Sequence, residues 1–196
     1  MTIWIGIDLG NKGGIAWIDD KQIAVGPNDY ISIPEAIPMP ELDKEKFSIL
    51  EKIATTLRKN ERAYQPCQLW MEDIQVYTNM NINVAAYQSL YQETGKFIAW
   101  GLVLNIPVFK VHARTWQAKM NCLPLQGQAK TTAMKGLTLE GAKDFEKEFG
   151  SKGLAYRECK KRFKGLNLIA PGGRVPHEGM IDAVLIAEYA RQLSGK

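Results

Sequence analysis

The stretch that most constrains the fold is residues 3–14, which read IWIGIDLGNKGG. Side chains alternate along a β-strand, so Ile3, Ile5 and Ile7 share one face and Asp8 lies on the other. Because that second face is normally packed as well, Asp8 is directed at the protein interior. A buried lone carboxylate has to be paired, protonated or bound to a metal. A hydrogen bond to the glycine-rich turn that follows is the simpler alternative.

Length and composition favour one soluble globular domain over residues 1–196. The 196 residues are 45% hydrophobic and 23% charged, which is ordinary for such a domain. No apolar run approaches the roughly 20 residues that span a bilayer, and no basic segment precedes an apolar one at the N-terminus, so we expect no membrane partner. The three cysteines are distant from one another and form no C-x-x-C pair, which fits a reducing cytoplasm.

Positive charge is concentrated in one region. Residues 110–174 contain 14 Lys and Arg against 5 Asp and Glu, a net charge of +9, although the whole chain carries only +4. Such a region is a candidate surface for a polyanion. A solvated basic face without a partner is the alternative.

The order of predicted elements indicates an α/β fold. We expect strands at 2–9, 13–19, 22–26, 67–77 and 106–111, and a connector in the proline-rich ISIPEAIPMPELD. Helical spacing predicts helices at 41–59, 84–104 and 179–193, with Gly95 permitting close packing in the second. That second helix has an apolar stripe formed by Tyr87, Leu90, Tyr91, Ile98 and Leu102. Residues 113–150 are predicted to be helical in pieces, and residues 151–173 to be basic and irregular.

Two further elements bring acidic residues towards apolar faces. The strand at 67–77 runs into Glu72 and Asp73, and the last helix places Asp182 within its apolar arc. Glu178 lies four residues before Asp182, on the same side of that helix. Clustered carboxylates repel one another unless cations hold them, and hard oxygen ligands select Mg²⁺ or Mn²⁺. Two such ions support phosphodiester hydrolysis, and the basic region makes nucleic acid the natural substrate.

These motifs together resemble the RuvC-type Holliday junction resolvases of the RNase H-like superfamily. IGIDLGNKGGIAWI is similar to the family's first strand and turn, and MEDIQVY to its acidic central strand. The stretch from YQETGKFIAWGLVLNIPVFKVHARTW to GQAKTTAM is similar to the family's dimer helix, next strand and basic helix. HEGMIDAVLIAEY resembles the closing helix. The specificity lies in the joint order, since each motif alone is weak.

The resemblance implies an RNase H-like fold with a central mixed five-stranded sheet flanked by helices. It also implies a homodimeric endonuclease that resolves four-way DNA junctions by paired symmetric nicks. Asp8, Glu72 and Asp182 would hold two Mg²⁺ ions per active site, with Mn²⁺ as a substitute. The sequence departs from the family at the fourth ligand, because Gly179 occupies a position where relatives carry Asp or His. Glu178 is the expected replacement, and His177 is the alternative or a support for the attacking water.

The resemblance also places residues against DNA. Lys130 matches a family lysine that faces phosphates or assists catalysis. Tyr77 or Met80 lies in the loop that contacts the junction centre in relatives, although a simple surface aromatic is equally expected. The further candidate DNA-binding residues are Lys119, Lys160, Lys161, Arg162 and Lys164.

Other classes of protein share parts of this sequence pattern. A YqgF-like or RNase H-like ribonuclease shares the fold, and a non-cleaving protein that binds branched DNA would share the surface. ATPases of the actin and sugar-kinase type share the GIDLG opening, but they need two domains and a second phosphate motif. A nucleoid-associated cytoplasmic protein is expected, and its departures from housekeeping relatives fit a bacteriophage source as well as a chromosomal one.

Overall fold

The computed structural model of the chain describes residues 2–19, 23–24, 30–31, 34–59, 66–74 and 83–195. The strands are β1 (Ile3–Asp8), β2 (Gly14–Asp19), β3 (Ile23–Ala24), β4 (Tyr30–Ile31), β5 (Glu35–Pro38), β6 (Cys67–Glu72) and β7 (Val108–Val111). The helices are α1 (Asp43–Lys59), α2 (Val84–Val103), α3 (Ala113–Lys119), α4 (Gly127–Met134), α5 (Leu139–Phe149), α6 (Ser151–Arg162) and α7 (Glu178–Leu193).

The main sheet has five strands in the order β5-β2-β1-β6-β7. Strands β5, β2 and β1 are antiparallel neighbours, whereas β6 pairs in parallel with both β1 and β7. The expected mixed five-stranded sheet of RNase H-like topology, flanked by helices, is therefore confirmed. β1 lies at its centre, so the strand that ends at Asp8 is paired with a neighbouring strand on each side.

The third strand of the sheet differs from the prediction. It is β5, which lies within the proline-rich segment expected to be a connector, and it pairs with β2 from Gly14 opposite Pro38 to Trp17 opposite Glu35. Proline is tolerated there because β5 is an edge strand and one side of it needs no ladder hydrogen bonds. Within the predicted strand at 22–26, the described residues form β3, which pairs with β4 in a separate two-stranded sheet.

The two faces of β1 contact different layers of the molecule. Ile3, Ile5 and Ile7 are fully buried in a core with α1 and α2. On the opposite face, the Trp4 indole donates a hydrogen bond to Ser194, just beyond the end of α7, at 3.1 Å. A Cβ at Gly6 would lie 2.6 Å from the backbone nitrogen of Ala187, so α7 rests directly on β1. The predicted alternation is correct, and Asp8 faces α7.

Helix α2 packs on a different face from the one predicted. Its buried residues are Thr94, Phe97 and Gly101. A Cβ at Gly101 would overlap Val108 of β7, whereas one at Gly95 would meet no atom within 4 Å. Gly101 is therefore the α2 glycine that allows close packing within the described chain, and the expectation for Gly95 was wrong there. Leu102 from the predicted stripe remains 77% exposed.

The segment predicted to be basic and irregular over 151–173 is in fact helical in its first half. It forms α6, because Ala155 and Cys159 provide a buried face against the core that contains α7. The three cysteines are free and buried. None of the described helices is long and apolar enough to cross a membrane.

Candidate active site at the ends of the central strands

Asp8 and Glu72 end two neighbouring parallel strands. The register pairs Ile7 of β1 with Met71 of β6, so each carboxylate follows at the next position along its strand. Met71 and Ile7 are buried on the α1 and α2 side, which places Asp8 and Glu72 together on the opposite, α7 side. The two parallel strands thus place two acidic side chains next to each other at their carboxyl ends.

Asp182 comes to the same place from α7. Every residue from 179 to 190 of this helix is buried except Asp182, which is half-buried. Asp8 and Glu72 are half-buried too, so solvent reaches all three carboxylates. We call Asp8, Glu72, Asp182 and Glu178 the carboxylate cluster.

Electrostatic interactions link the members of the carboxylate cluster. Burial raises the pKa of Asp8 to about 8, with further contributions from the charges of Asp182, Glu72 and Glu178. Burial, Glu72 and Glu178 raise the pKa of Asp182 to about 7, against an opposing effect from Lys152. At neutral pH the cation-free cluster therefore retains protons that ordinary surface carboxylates would have lost.

Glu72 is held by a residue that the sequence did not single out. Burial raises the pKa of Glu72, and a hydrogen bond from Trp116 and the charge of His112 oppose that rise. The Trp116 Nε1 donates to Glu72 Oε2 at 3.4 Å. Trp116 belongs to α3 and lies 44 residues after Glu72 in the sequence. No sequence pattern near either residue predicts such a contact.

Asp73, the neighbour of Glu72, does not join the cluster. Its backbone N–H donates to the carbonyl of Val111, and its carboxylate lies 3.8 Å from the ammonium of Lys110. Of the two acidic candidates at the end of β6, the structure thus brings Glu72 to the cluster.

The close approach of α7 to the glycine-rich turn explains the glycine at position 179. A Cβ on Gly179 would lie 2.5 Å from the Gly13 Cα and would overlap the backbone carbonyl of Lys12. No side chain fits there without moving the turn. The first α7 residue that reaches the cluster is consequently Glu178, whose charge contributes to the raised pKa values of Asp8 and Asp182.

His177 begins α7 as its N-cap. Its Nδ1 accepts a hydrogen bond from the backbone N–H of Met180 at 3.3 Å. This contact satisfies one of the free N–H groups of the first turn. The structure accordingly gives His177 a capping contact, and a role beside an attacking water stays a prediction.

The composition of the cluster fits a hard divalent cation, since all its donors are carboxylate oxygens. An ion bound there would also offset the burial and the mutual repulsion that raise the pKa values of Asp8 and Asp182. Among the described residues, however, no three acidic, histidine or cysteine side chains already form a group that could hold a metal ion. Binding would have to draw the carboxylates closer together.

The predicted DNA-binding residues are dispersed over the basic helices. Lys130 of α4 is ion-paired with Glu146 of α5 and not with the carboxylate cluster. Lys161 and Arg162 both lie near Glu158 of their own helix, at 3.7 Å and 3.3 Å. Three further candidates, Lys119, Lys160 and Lys164, are exposed. Tyr77 and Met80 lie outside the described residues.

Comparisons with known proteins identify similar structures but no close relative. No family model matches the chain, and no curated protein matches it. The Thermus thermophilus RuvC structure is 15% identical, with a TM-score of 0.47 over 98% of this chain and 97% of that one.

Two further solved structures are similar to the chain. T. thermophilus RuvC in complex with a Holliday junction substrate is 14% identical, with a TM-score of 0.49 over 99% of this chain and 95% of that one. The yeast mitochondrial Holliday junction resolvase is 12% identical, with a TM-score of 0.38 over 97% and 80%. At these values, the chemistry of the chain has to be inferred from its own side chains.

Proposed function

We propose that this protein is an endodeoxyribonuclease that uses divalent cations to cut branched DNA, and that its substrate is the four-way junction. The observation that supports this most directly is the meeting of Asp8, Glu72 and Asp182 from β1, β6 and α7. Burial raises the pKa of all three half-buried carboxylates, and the charges of neighbouring acids raise those of Asp8 and Asp182 further, so the group would destabilise a fold in which it had no use.

Each member of the cluster has a distinct part in this proposal. Asp8 is central, because its pKa responds to the charges of all three other carboxylates. Glu72, held by Trp116, and Asp182 are the ligands on either side of it, and Glu178 is the fourth. The chemistry supplied at this cluster by two Mg²⁺ ions, or by Mn²⁺ in their place, is activation of a water and stabilisation of the departing oxygen.

Two features favour DNA as the substrate. The net charge of +9 over residues 110–174 suits a phosphate backbone, and the exposed lysines of this region suit salt-dependent contacts that carry little sequence information. The order of motifs resembles that of the junction resolvases. This resemblance favours a four-way junction over a plain duplex as the substrate. Lys119, Lys130, Lys160, Lys161, Arg162 and Lys164 are the proposed phosphate contacts.

We further propose that the protein is a homodimer that pairs through α2. Symmetric nicks in two strands need two active sites related by a two-fold axis. Helix α2 presents apolar side chains that the described chain leaves exposed. The exposed fractions of Val84, Leu102 and Val103 are 64%, 77% and 73%. A second copy of the same helix would cover them.

A cleavage assay on matched substrates tests the proposed function. The labelled substrates are a four-way junction, a duplex of the same sequence and an RNA/DNA hybrid, each with Mg²⁺ or with EDTA. We expect symmetric nicks in the junction that require Mg²⁺. Cutting of the hybrid would instead indicate a ribonuclease, and junction binding without cutting in any metal would indicate a binding protein.

Three variants make that assay specific to the site. Asp8→Asn and Asp182→Asn should each lower the cleavage rate at least about 100-fold and leave junction binding intact. Asp73→Asn is the matched control, because Asp73 follows Glu72 directly but pairs with Lys110. Its rate should stay within about twofold of the unmodified protein.

A further inference from the structure

An ion pair connects the basic helix α6 to the carboxylate cluster. The Lys152 ammonium donates a hydrogen bond to Glu178 Oε2. The two side chains are 72% and 55% exposed, so the pair lies at the solvent-facing rim of the site. It can open without disturbing the core.

Local structure alone would not favour a lysine at this position. Lys152 lies in the first turn of α6, where the helix dipole favours anions, and no acidic residue accompanies it in that turn. The helix itself is fixed, because Ala155 and Cys159 are buried in the core that also contains α7. A rigid element therefore holds a cation beside Glu178.

We propose that Lys152 is a positioning residue that occupies the cation's place beside Glu178 and competes with the divalent metal for it. This inference rests on the proposed function and deepens it, because it assigns to one lysine of α6 control over how tightly the cluster binds its metal. Nothing in the family motifs requires a lysine here, since Lys152 lies in the segment 151–173 that they do not cover.

The charges around the site support this assignment. Within the described part of the chain, no other Lys or Arg forms an ion pair with a member of the carboxylate cluster. The influence of Lys152 also extends past Glu178, because it opposes the burial that raises the pKa of Asp182. A divalent cation entering the cluster meets a like charge and a carboxylate oxygen that is already engaged.

The same contact offers a way to couple metal binding to substrate binding. Lys152 is exposed and belongs to the helix that carries Lys160, Lys161 and Arg162. A phosphodiester lying along α6 presents a second anion to the ammonium. Transfer of Lys152 from Glu178 to that phosphate frees the carboxylate for the metal, so the cluster becomes complete when the DNA is in place.

Metal titration of the full chain without DNA tests the proposal. Isothermal titration calorimetry would compare Mg²⁺ and Mn²⁺ binding to the unmodified protein, Lys152→Gln, Lys152→Arg and Lys147→Gln. The last variant is the charge-matched control, because Lys147 is an exposed lysine of α5 that forms no ion pair within the described residues. Thermal unfolding without metal confirms that each variant is folded.

The competition model predicts the direction of each change. Lys152→Gln should lower the Kd for Mg²⁺ about two- to fivefold, the size expected for removal of an exposed ion pair. Lys152→Arg keeps the positive charge and should retain the Kd of the unmodified protein, and Lys147→Gln should not alter it. An unchanged or higher Kd in Lys152→Gln overturns the inference while metal binding itself persists. If the unmodified protein binds neither ion, that result contradicts the proposed metal-dependent function itself, and with it the role of Lys152.

Discussion

Gly179 at the start of α7 lies against Gly13 of the turn that follows β1, and a Cβ on Gly179 would come within 2.5 Å of the Gly13 Cα. A similar approach occurs one residue on, where a Cβ on Gly14 would lie 2.7 Å from the backbone nitrogen of Met180. The absence of side chains in the glycine-rich turn therefore allows the first turn of α7 to pack directly against it. That contact brings Asp182 next to Asp8.

This contact predicts that a ligand cannot simply be restored at position 179. Gly179→Asp should lower the free energy of unfolding by about 1 to 3 kcal/mol, because the new Cβ overlaps backbone that has no room to move. Gly95→Ala is the control, since nothing lies within 4 Å of a Cβ there, and it should be neutral or stabilising by up to about 1 kcal/mol. Urea denaturation measures both. A Gly179→Asp variant as stable as the unmodified protein would contradict the packing described.

The parts of the fold that could be predicted are those that a periodic pattern encodes locally. The alternation of β1 correctly placed Asp8 on the packed face opposite Ile5 and Ile7, and the apolar arc of the last helix correctly placed Asp182 towards the core. Prolines concealed β5, because only its position at the sheet edge makes them acceptable. The many charges of α6 concealed a helix whose buried face consists of small residues.

The contacts that tune the site could not be predicted, because they join residues distant in sequence. Trp116 reaches Glu72 across 44 residues, and Lys152 reaches Glu178 across 26. Neither has a motif of its own, since each depends on how α3 or α6 packs beside α7. The glycine at 179 looked like a missing ligand, and only the path of the turn through Gly13 shows it to be a packing requirement.

The raised pKa values predict that the cation-free protein loses stability as pH rises. The pKa of Asp8 is about 8 in the folded chain against an ordinary 3.8, so between pH 4 and pH 8 the folded state retains a proton that the unfolded state releases. The free energy of unfolding must then fall with pH across this window. Asp182, with a pKa of about 7, acts in the same direction.

Urea denaturation in EDTA at pH 5, 7 and 8.5 measures this dependence. Asp8→Asn removes the titrating group and should raise the free energy of unfolding at pH 8.5 by roughly 1 kcal/mol or more, with a smaller gain at pH 5. Asp73→Asn, outside the cluster, should leave the slope unchanged. A stability that rises from pH 5 to pH 8.5 would show that the carboxylates are not coupled as described.

Metal binding should release the protons that the cluster retains. A divalent cation favours the ionised carboxylates, so its binding at pH 7 must displace protons from Asp8 and Asp182. Calorimetric titration of Mn²⁺ in two buffers of different ionisation enthalpy measures the number released. We expect about one proton per site in the unmodified protein and fewer in Asp182→Asn. Equal heats in both buffers would refute the coupling between protonation and metal binding.

The exposed face of α2 predicts the oligomeric state. Leu102→Lys places a charge on a side chain that is 77% exposed in one copy, and it should convert a dimer into a monomer because a charge buried at an interface is unpaired. Leu139→Lys is the control, since Leu139 is 79% exposed and belongs to α5, not to α2. Size-exclusion chromatography with light scattering distinguishes the two. A Leu102→Lys protein of unchanged mass would exclude this part of α2 from the interface.

The hydrogen bond from Trp116 predicts a change in the pH profile of cleavage. Trp116→Phe keeps an aromatic side chain but removes the indole N–H that donates to Glu72 Oε2, so the pKa of Glu72 should rise further. We expect a cleavage rate about three- to tenfold lower near neutral pH, recovering as the pH is raised and Glu72 ionises. Trp70→Phe is the matched control, because the Trp70 N–H donates to Gln68 at 3.1 Å, away from the cluster. A Trp116→Phe rate that is reduced equally at every pH would mean that Trp116 supports the fold and does not tune Glu72.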